Sequence, residues 1–284
     1  MKLVRYGPRG REKPGMIDPD GRLRDLSRHL YDTDHLALSE ESLEKFRRID
    51  PGMLGEVEGE HRLGVPLRRV GKCVCVGLNY SDHAAETNSK PPKEPILFMK
   101  ATSSLCGPTD PIIIPKDSVK TDWEVELAVI IGRKTQHVAE EEALACIAGY
   151  AVMNDVSERE FQIERGGQWV KGKSCDNFGP LGPWLVTRDE IADPQALELW
   201  LDVNGERMQH GSTANMIFSV KQLISYISRF ITLYPCDVVS TGTPAGVGLG
   251  KKPPRFLKAG DVVALGVTGL GAQRQECTAW SPPE

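Results

Sequence analysis

Apolar residues along this chain come in short runs broken by Gly and Pro, a pattern that predicts strands more often than helices. Val74-Cys75-Val76-Gly77, Ile96-Leu97-Phe98-Met99, Ile112-Ile113-Ile114-Pro115, 197–203 and 262–267 are apolar or alternating stretches of strand length. Asn204-Gly205, between Leu201-Asp202-Val203 and Glu206-Arg207-Met208, predicts a two-residue hairpin. A second hairpin is expected where Met16-Ile17-Asp18 and 21–26 flank Pro19-Asp20-Gly21. Helical periodicity is expected over 39–48, 140–147 and 220–231, the last with Val220, Leu223, Ile224, Ile227 and Phe230 or Ile231 on one stripe. This order is not a repeating βα alternation, so neither a βα barrel nor a doubly wound sheet fits. Residues 1–66 read as a small N-terminal domain, and 67–284 as the main domain.

Composition narrows the class. The 284 residues are 40% apolar and 26% charged, the balance of a soluble globular protein with a substantial core. The longest apolar runs are a few residues, too short to span a membrane, and the N-terminus lacks the apolar stretch of a signal peptide. A net charge of −4 argues against nucleic acid as the main partner. Seven cysteines show no C-x₂-C spacing and no framework of bridges, so buried reduced thiols in a cytoplasmic protein are expected.

The candidate chemistry begins at Asp122-Trp123-Glu124-Val125-Glu126-Leu127-Ala128-Val129-Ile130-Ile131-Gly132. Side chains at i and i+2 leave a strand on one face, so Glu124 and Glu126 point together while Trp123, Val125 and Leu127 point into apolar packing. Two adjacent carboxylates in a buried strand repel, and a hard divalent cation relieves that conflict. The alternative is a half-exposed strand whose acidic face meets solvent. Asp155, in Asn154-Asp155-Val156-Ser157, is a third candidate carboxylate. His83 and Glu86 are three apart, the spacing at which one helical turn pairs an imidazole with a carboxylate. That pair suits a general base acting on water, and equally an incidental surface ion pair. Arg159, Gln162, Arg165, Lys171 and Lys173 follow Asp155 closely and could serve an anionic substrate. Thr241-Gly242-Thr243-Pro244-Ala245-Gly246-Val247-Gly248 resembles a phosphate loop, but Lys251-Lys252-Pro253-Pro254 forbids the helix such a loop requires. A glycine-rich turn able to cradle a carboxylate remains.

Taken in order, Gly77-Leu78-Asn79-Tyr80 with His83 and Glu86, Glu124-Val125-Glu126, Asn154-Asp155-Val156-Ser157, Lys173 and the Thr241–Gly248 loop resemble the fumarylacetoacetate hydrolase family. The resemblance implies a mainly β fold with some α, a mixed β-sheet roll beside a small N-terminal α/β domain, and a homodimer. It implies Mg²⁺ or Mn²⁺ held by Glu124, Glu126 and Asp155, with water in place of the fourth carboxylate that some members have. His83 with Glu86 would activate water, Lys173 would sit beside metal and substrate, Arg159 and Gln162 would contact the substrate, and Thr243 would bind its carboxylate. The implied activity is that of a hydrolase acting on carbon–carbon bonds in ketonic substances, with a small anionic 2-oxo acid as substrate. Lys2-Leu3-Val4-Arg5-Tyr6-Gly7 and Gly179-Pro180-Leu181-Gly182-Pro183-Trp184 look most like bacterial members of sugar-acid catabolism that cleave 2,4-diketo-3-deoxy-L-rhamnonate to pyruvate and lactate. Acylpyruvate hydrolysis, oxaloacetate decarboxylation, ureidoglycolate cleavage and dienedioate isomerisation are the alternatives, and a non-enzymatic metal-stabilised binding module a remote one.

Overall fold

The computed structural model describes residues 1–86 and 90–282. Strands dominate, and most of them build two sheets. The larger has ten strands. Nine follow the order Leu23–Asp25, Lys13–Ile17, Lys2–Tyr6, Gly179–Thr187, Ile147–Asn154, Val125–Ile131, Val238–Ser240, Cys73–Gly77 and Ile96–Lys100, and Leu105–Cys106 pairs with Gly179–Thr187 off that path. Five strands form the second sheet, in the order Glu206–Ser212, Glu198–Val203, Val262–Val267, Gly271–Ala279 and Ile112–Ile114. The strand-rich pattern and the mainly β class with some α that the family resemblance implies are both observed.

Val125–Ile131 and Ile147–Asn154, in the middle of the large sheet, are buried at every position. Parity alone therefore decides which way each side chain points. Val125, Leu127, Val129 and Ile131 join the core shared with the second sheet and the helix Val220–Ser228. Ala128 and Ile130 face a second core that includes Leu3, Met16, Leu43 and Phe46 from the N-terminal stretch. Fully burying a Leu, Val or Phe contributes roughly 1.5–3 kcal/mol, so these two cores fix the strand register firmly. Residues 1–66 supply three strands of this same large sheet, joined through Lys2–Tyr6 to Gly179–Thr187 with Leu3 opposite Leu185.

Local signals behave as their physics predicts. Val203 pairs with Glu206 across a turn in which Asn204 and Gly205 both have positive φ, +54° and +80°. Ile17 pairs with Leu23 in the other hairpin. Ser39 caps Glu40–Arg47 by accepting from the Ser42 amide, and Ser219 with Gln222 forms a capping box on Val220–Ser228. Two helices are shorter than the periodicity suggests. The expected 220–231 helix stops at Ser228, and Phe230 is exposed. The expected 140–147 helix covers only Glu140–Ala143 and a 3₁₀ turn, because Ile147 already belongs to a strand whose partner is Ile131.

Candidate active site

The acidic cluster follows from strand register. Met153 lies opposite Glu126, Asn154 opposite Val125, and the Asp155 amide donates to Glu124 O at 2.9 Å. Asp155 shares its parity with Met153, and Glu124 and Glu126 share theirs with Ala128 and Ile130. All three carboxylates therefore emerge on one face at one end of the strand pair. Glu124 stands just before the strand Val125–Ile131, in the break after Thr121–Asp122. Each of the three offers an oxygen within 4.8 Å of the others, and all are buried. The alternative of an acidic face open to solvent is thereby excluded.

Cations crowd this cluster. Lys173 Nζ donates to Glu124 Oε2 at 2.8 Å and to Asp155 Oδ2 at 2.7 Å. Arg159 Nε donates to Asp122 Oδ2 at 2.8 Å, while its Nη2 lies 2.7 Å from Glu124 Oε1. Burial works to raise the Glu124 carboxyl, but Lys173 and Arg159 outweigh it and lower the pKa to about 2. Burial pushes Glu126 well above the usual carboxylate range, and the charges of Asp155 and Glu124 push the same way. Its Oε2 accepts from Ser240 Oγ and from the Gly242 amide at 2.9 Å. Three oxygen ligands with one carboxylate so poorly balanced are a donor set that fits a hard divalent cation.

His83 and Glu86 meet as the spacing predicts, with Nδ1 3.3 Å from Glu86 Oε2 on the short helix Ser81–Glu86. Both Glu86 oxygens also accept from the Gly246 amide at 3.1 Å. Burial tends to raise Glu86, but the His83 ring and the Gly246 amide hold it below its ordinary value. The glycine-rich loop does cradle carboxylates, and they belong to the chain itself. Gly242 serves Glu126, Gly246 serves Glu86, and Gly248 and Leu249 serve Asp122 at 2.7 and 3.0 Å. Gly242, at φ +98°, must be glycine on a second ground, since a Cβ there would sit 2.8 Å from Asn79 Cβ.

A cavity of about 200 Å³ joins these parts. His83, Glu124, Glu126, Arg159, Gln162, Lys173 and Thr243 all line it, with Asp155 behind Lys173 and Glu86 behind His83. Gln162 sits on a π-helical turn, Glu160–Glu164, and its Oε1 accepts from Arg159 Nη1 at 3.1 Å. The helix Val170–Lys173 packs tightly against that turn, because Gly172 has no Cβ to strike Gln162, whose Cβ and backbone nitrogen would be 2.6 Å away. Thr243 Oγ1 donates to Val125 O at 2.9 Å and accepts from Gln209 Nε2 at 2.8 Å. Arg165 and Lys171 are turned outward, Arg165 to Glu160 and Lys171 to the Arg165 carbonyl.

Two participants escaped the sequence reading. Lys100 is buried, donating from Nζ to Asp155 Oδ1 at 2.6 Å and to Val156 O at 3.1 Å. Only its position at the end of Ile96-Leu97-Phe98-Met99 hinted that it enters a core. Asp122 is completely buried and binds Arg159 together with the Gly248 and Leu249 amides. It shares parity with Glu124 and Glu126, and that was the available signal.

The fold and this site define an enzyme of a single superfamily. The chain belongs to the fumarylacetoacetate hydrolase family, whose C-terminal domain model matches residues 72–278. A Burkholderia ambifaria protein, provisionally named a hydrolase, is 60% identical over 97% of this chain and 98% of its own length. A fumarylacetoacetate hydrolase from psychrophilic Exiguobacterium antarcticum superposes with a TM-score of 0.89 at 37% identity, covering 99% of this chain and all of that one. A 2-hydroxyhepta-2,4-diene-1,7-dioate isomerase from Mycobacterium marinum superposes at 0.76 with 31% identity, again over 99% and 100% of the two chains. No helix among the described residues is long and apolar enough to cross a membrane, and all seven cysteines are unpaired thiols.

Proposed function

We propose that this chain is a divalent-metal-dependent hydrolase that cleaves the C3–C4 bond of a 2,4-diketo acid, R–CO–CH₂–CO–COO⁻, to pyruvate and R–COO⁻. The observation that carries this reading is one cavity lined by Glu124 and Glu126 of the acidic triad, with Asp155 behind them, and by a carboxylate-oriented histidine. Glu124, Glu126 and Asp155 would hold Mg²⁺ or Mn²⁺, which when bound supplies Lewis-acid stabilisation of the 1-carboxylate and 2-oxo end.

The chain's own groups do the rest. With Nδ1–H directed to Glu86, the neutral His83 ring keeps Nε2 as its acceptor nitrogen. His83 takes a proton from water, and the water oxygen bonds to C4. The C3–C4 bond then breaks with its electron pair passing to C3, His83 returns the proton there to give pyruvate, and the R–COOH formed at C4 releases its own proton to solvent as R–COO⁻. Thr243, whose hydroxyl proton is held by Val125 O, binds the substrate carboxylate through its backbone N–H, Gln162 and Arg159 contact the substrate, and Lys173 offsets negative charge that develops beside Glu124.

The substrate proposed is 2,4-diketo-3-deoxy-L-rhamnonate or its L-fuconate analogue, in which R is 1-hydroxyethyl and the second product is lactate. The working unit is a homodimer in the cytoplasm, a setting that suits seven unpaired thiols. Light scattering should give twice 31.3 kDa, and a single-chain mass would contradict the dimer. A panel of 2,4-diketo acids with added Mg²⁺, scored for pyruvate release, tests the reaction. Release from the sugar-derived acid is expected, and no release from any member would overturn it.

A further inference from the structure

The lining of the cavity is of two kinds. Beside the charged residues stands an apolar wall that includes Leu78, Phe98, Ile163, Trp169, Val247 and Leu249. Trp169 meets Phe98 edge-on at 5.2 Å between ring centroids, and the Phe98 ring centroid lies 5.1 Å from Lys173 Nζ, so the aromatic wall begins where the charged set ends. Trp169 also lies against Gly77, where a Cβ would come within 2.7 Å of the indole, which fixes the ring over the strand end. Ile163 is 51% exposed and Leu249 36%, which places apolar groups at the mouth as well.

The two cations lining the cavity are already committed. Arg159 is held by Asp122 and Glu124, and Lys173 by Glu124 and Asp155. Among the described lining residues, the remaining ionisable groups are His83, Glu124 and Glu126. A second carboxylate on a substrate would therefore meet apolar wall or like charge, with no uncommitted cation to receive it.

We infer that this wall selects the acyl end of the substrate, favouring 2,4-diketo acids whose R group is uncharged and mainly hydrocarbon, 1-hydroxyethyl included, over those carrying a second carboxylate. The inference rests on the proposed reaction and adds the identity of R. Its size follows from transfer energetics. Each methylene buried against the wall should raise kcat/KM roughly fourfold. A terminal carboxylate in place of a methyl should lower it by roughly a hundredfold or more.

Three compounds test it: 2,4-dioxopentanoate, 2,4-dioxoheptanoate and 2,4-dioxoheptanedioate, assayed with Mg²⁺ for pyruvate. The heptanoate should exceed the pentanoate roughly 15-fold, from two added methylenes, and should exceed the heptanedioate by roughly a hundredfold or more. Ile163→Arg places a cation at the exposed rim, where folding tolerates it, and should narrow the heptanoate-to-heptanedioate ratio at least tenfold, by roughly one favourable charge contact. A second readout needs no turnover. Calorimetric binding of 2-oxohexanoate and 2-oxohexanedioate, which lack the C4 carbonyl, should favour the monocarboxylate. A heptanedioate cleaved as well as the heptanoate would overturn the inference and leave the reaction standing. Pyruvate from none of the three would overturn the reaction, and the calorimetric order would then decide the inference alone.

Discussion

Lys100→Met should destabilise the metal-free protein strongly, and a divalent cation should restore much of the loss. Lys100 Nζ is fully buried and holds Asp155 Oδ1 at 2.6 Å. Around it the carboxylates of Asp122, Glu124 and Asp155 are balanced by Lys100, Lys173 and Arg159, while burial and its two acidic neighbours hold Glu126 toward its neutral form. Removing one partner of a buried ion pair costs about 3–5 kcal/mol, because the other charge stays behind unpaired. With an unfolding entropy of about 2.1 cal/mol/K per residue, a chain of this length should lose about 5–8 °C in Tm. Methionine preserves most of the side-chain volume, so a packing defect contributes little. Thermal unfolding in excess chelator and again in millimolar Mg²⁺ measures both effects. The Mg²⁺-induced rise in Tm should be larger in the variant than in the native chain, since the cation replaces the missing charge. An unchanged Tm in chelator, or equal Mg²⁺ responses, would refute the charge balance on which the metal site is argued.

Two further outcomes follow. His83→Ala should lower hydrolysis roughly 10²- to 10⁴-fold, while any oxaloacetate decarboxylation, which needs no attacking water, falls much less; equal losses would assign His83 to substrate positioning instead. Arg62 grips Asp110 through two 2.6 Å bonds, and although burial tends to raise that carboxyl, Arg62 and the Gly107 amide hold it below its ordinary value. The folded state then binds fewer protons than the unfolded one, so this stabilisation is complete above the unfolded carboxyl pKa of about 4 and is lost as pH falls through the lower folded value. Asp110→Asn should therefore melt earlier than the native chain at pH 7, with the gap closing below about pH 4; a gap that widens in acid would reverse the sign.

Most of the site was legible because it depends on local periodicity. Glu124 and Glu126 share a face through strand alternation, and His83 reaches Glu86 through one helical turn. Both relations survive any detail of tertiary packing. Lys100 was not legible, since a lysine ending an apolar run reads as a strand terminus until Asp155 is known to lie beside it. Asp122 was quoted within its motif without a role, because its partners Arg159, Gly248 and Leu249 are distant in sequence. The strands Ile147–Asn154, Gly179–Thr187 and Val238–Ser240 escaped for a related reason. Buried on both faces, they lack the polar alternation that marks a half-exposed strand. In the stretch 140–147, three glutamates favoured a helix, and pairing of Ile147 with Ile131 in the sheet core cut it short.

The most direct test of the central claim is metal dependence measured in the native chain and in Glu126→Gln. With 2,4-dioxopentanoate as substrate, chelation should abolish pyruvate release by the native chain, and Mg²⁺ or Mn²⁺ should restore it. Glu126→Gln should stay folded, since it replaces a carboxylate that burial and two like charges already disfavour, and should be nearly inactive at any metal concentration. Full turnover in excess chelator, or native-like activity in Glu126→Gln, would contradict the claim that the acidic triad works by holding a divalent cation.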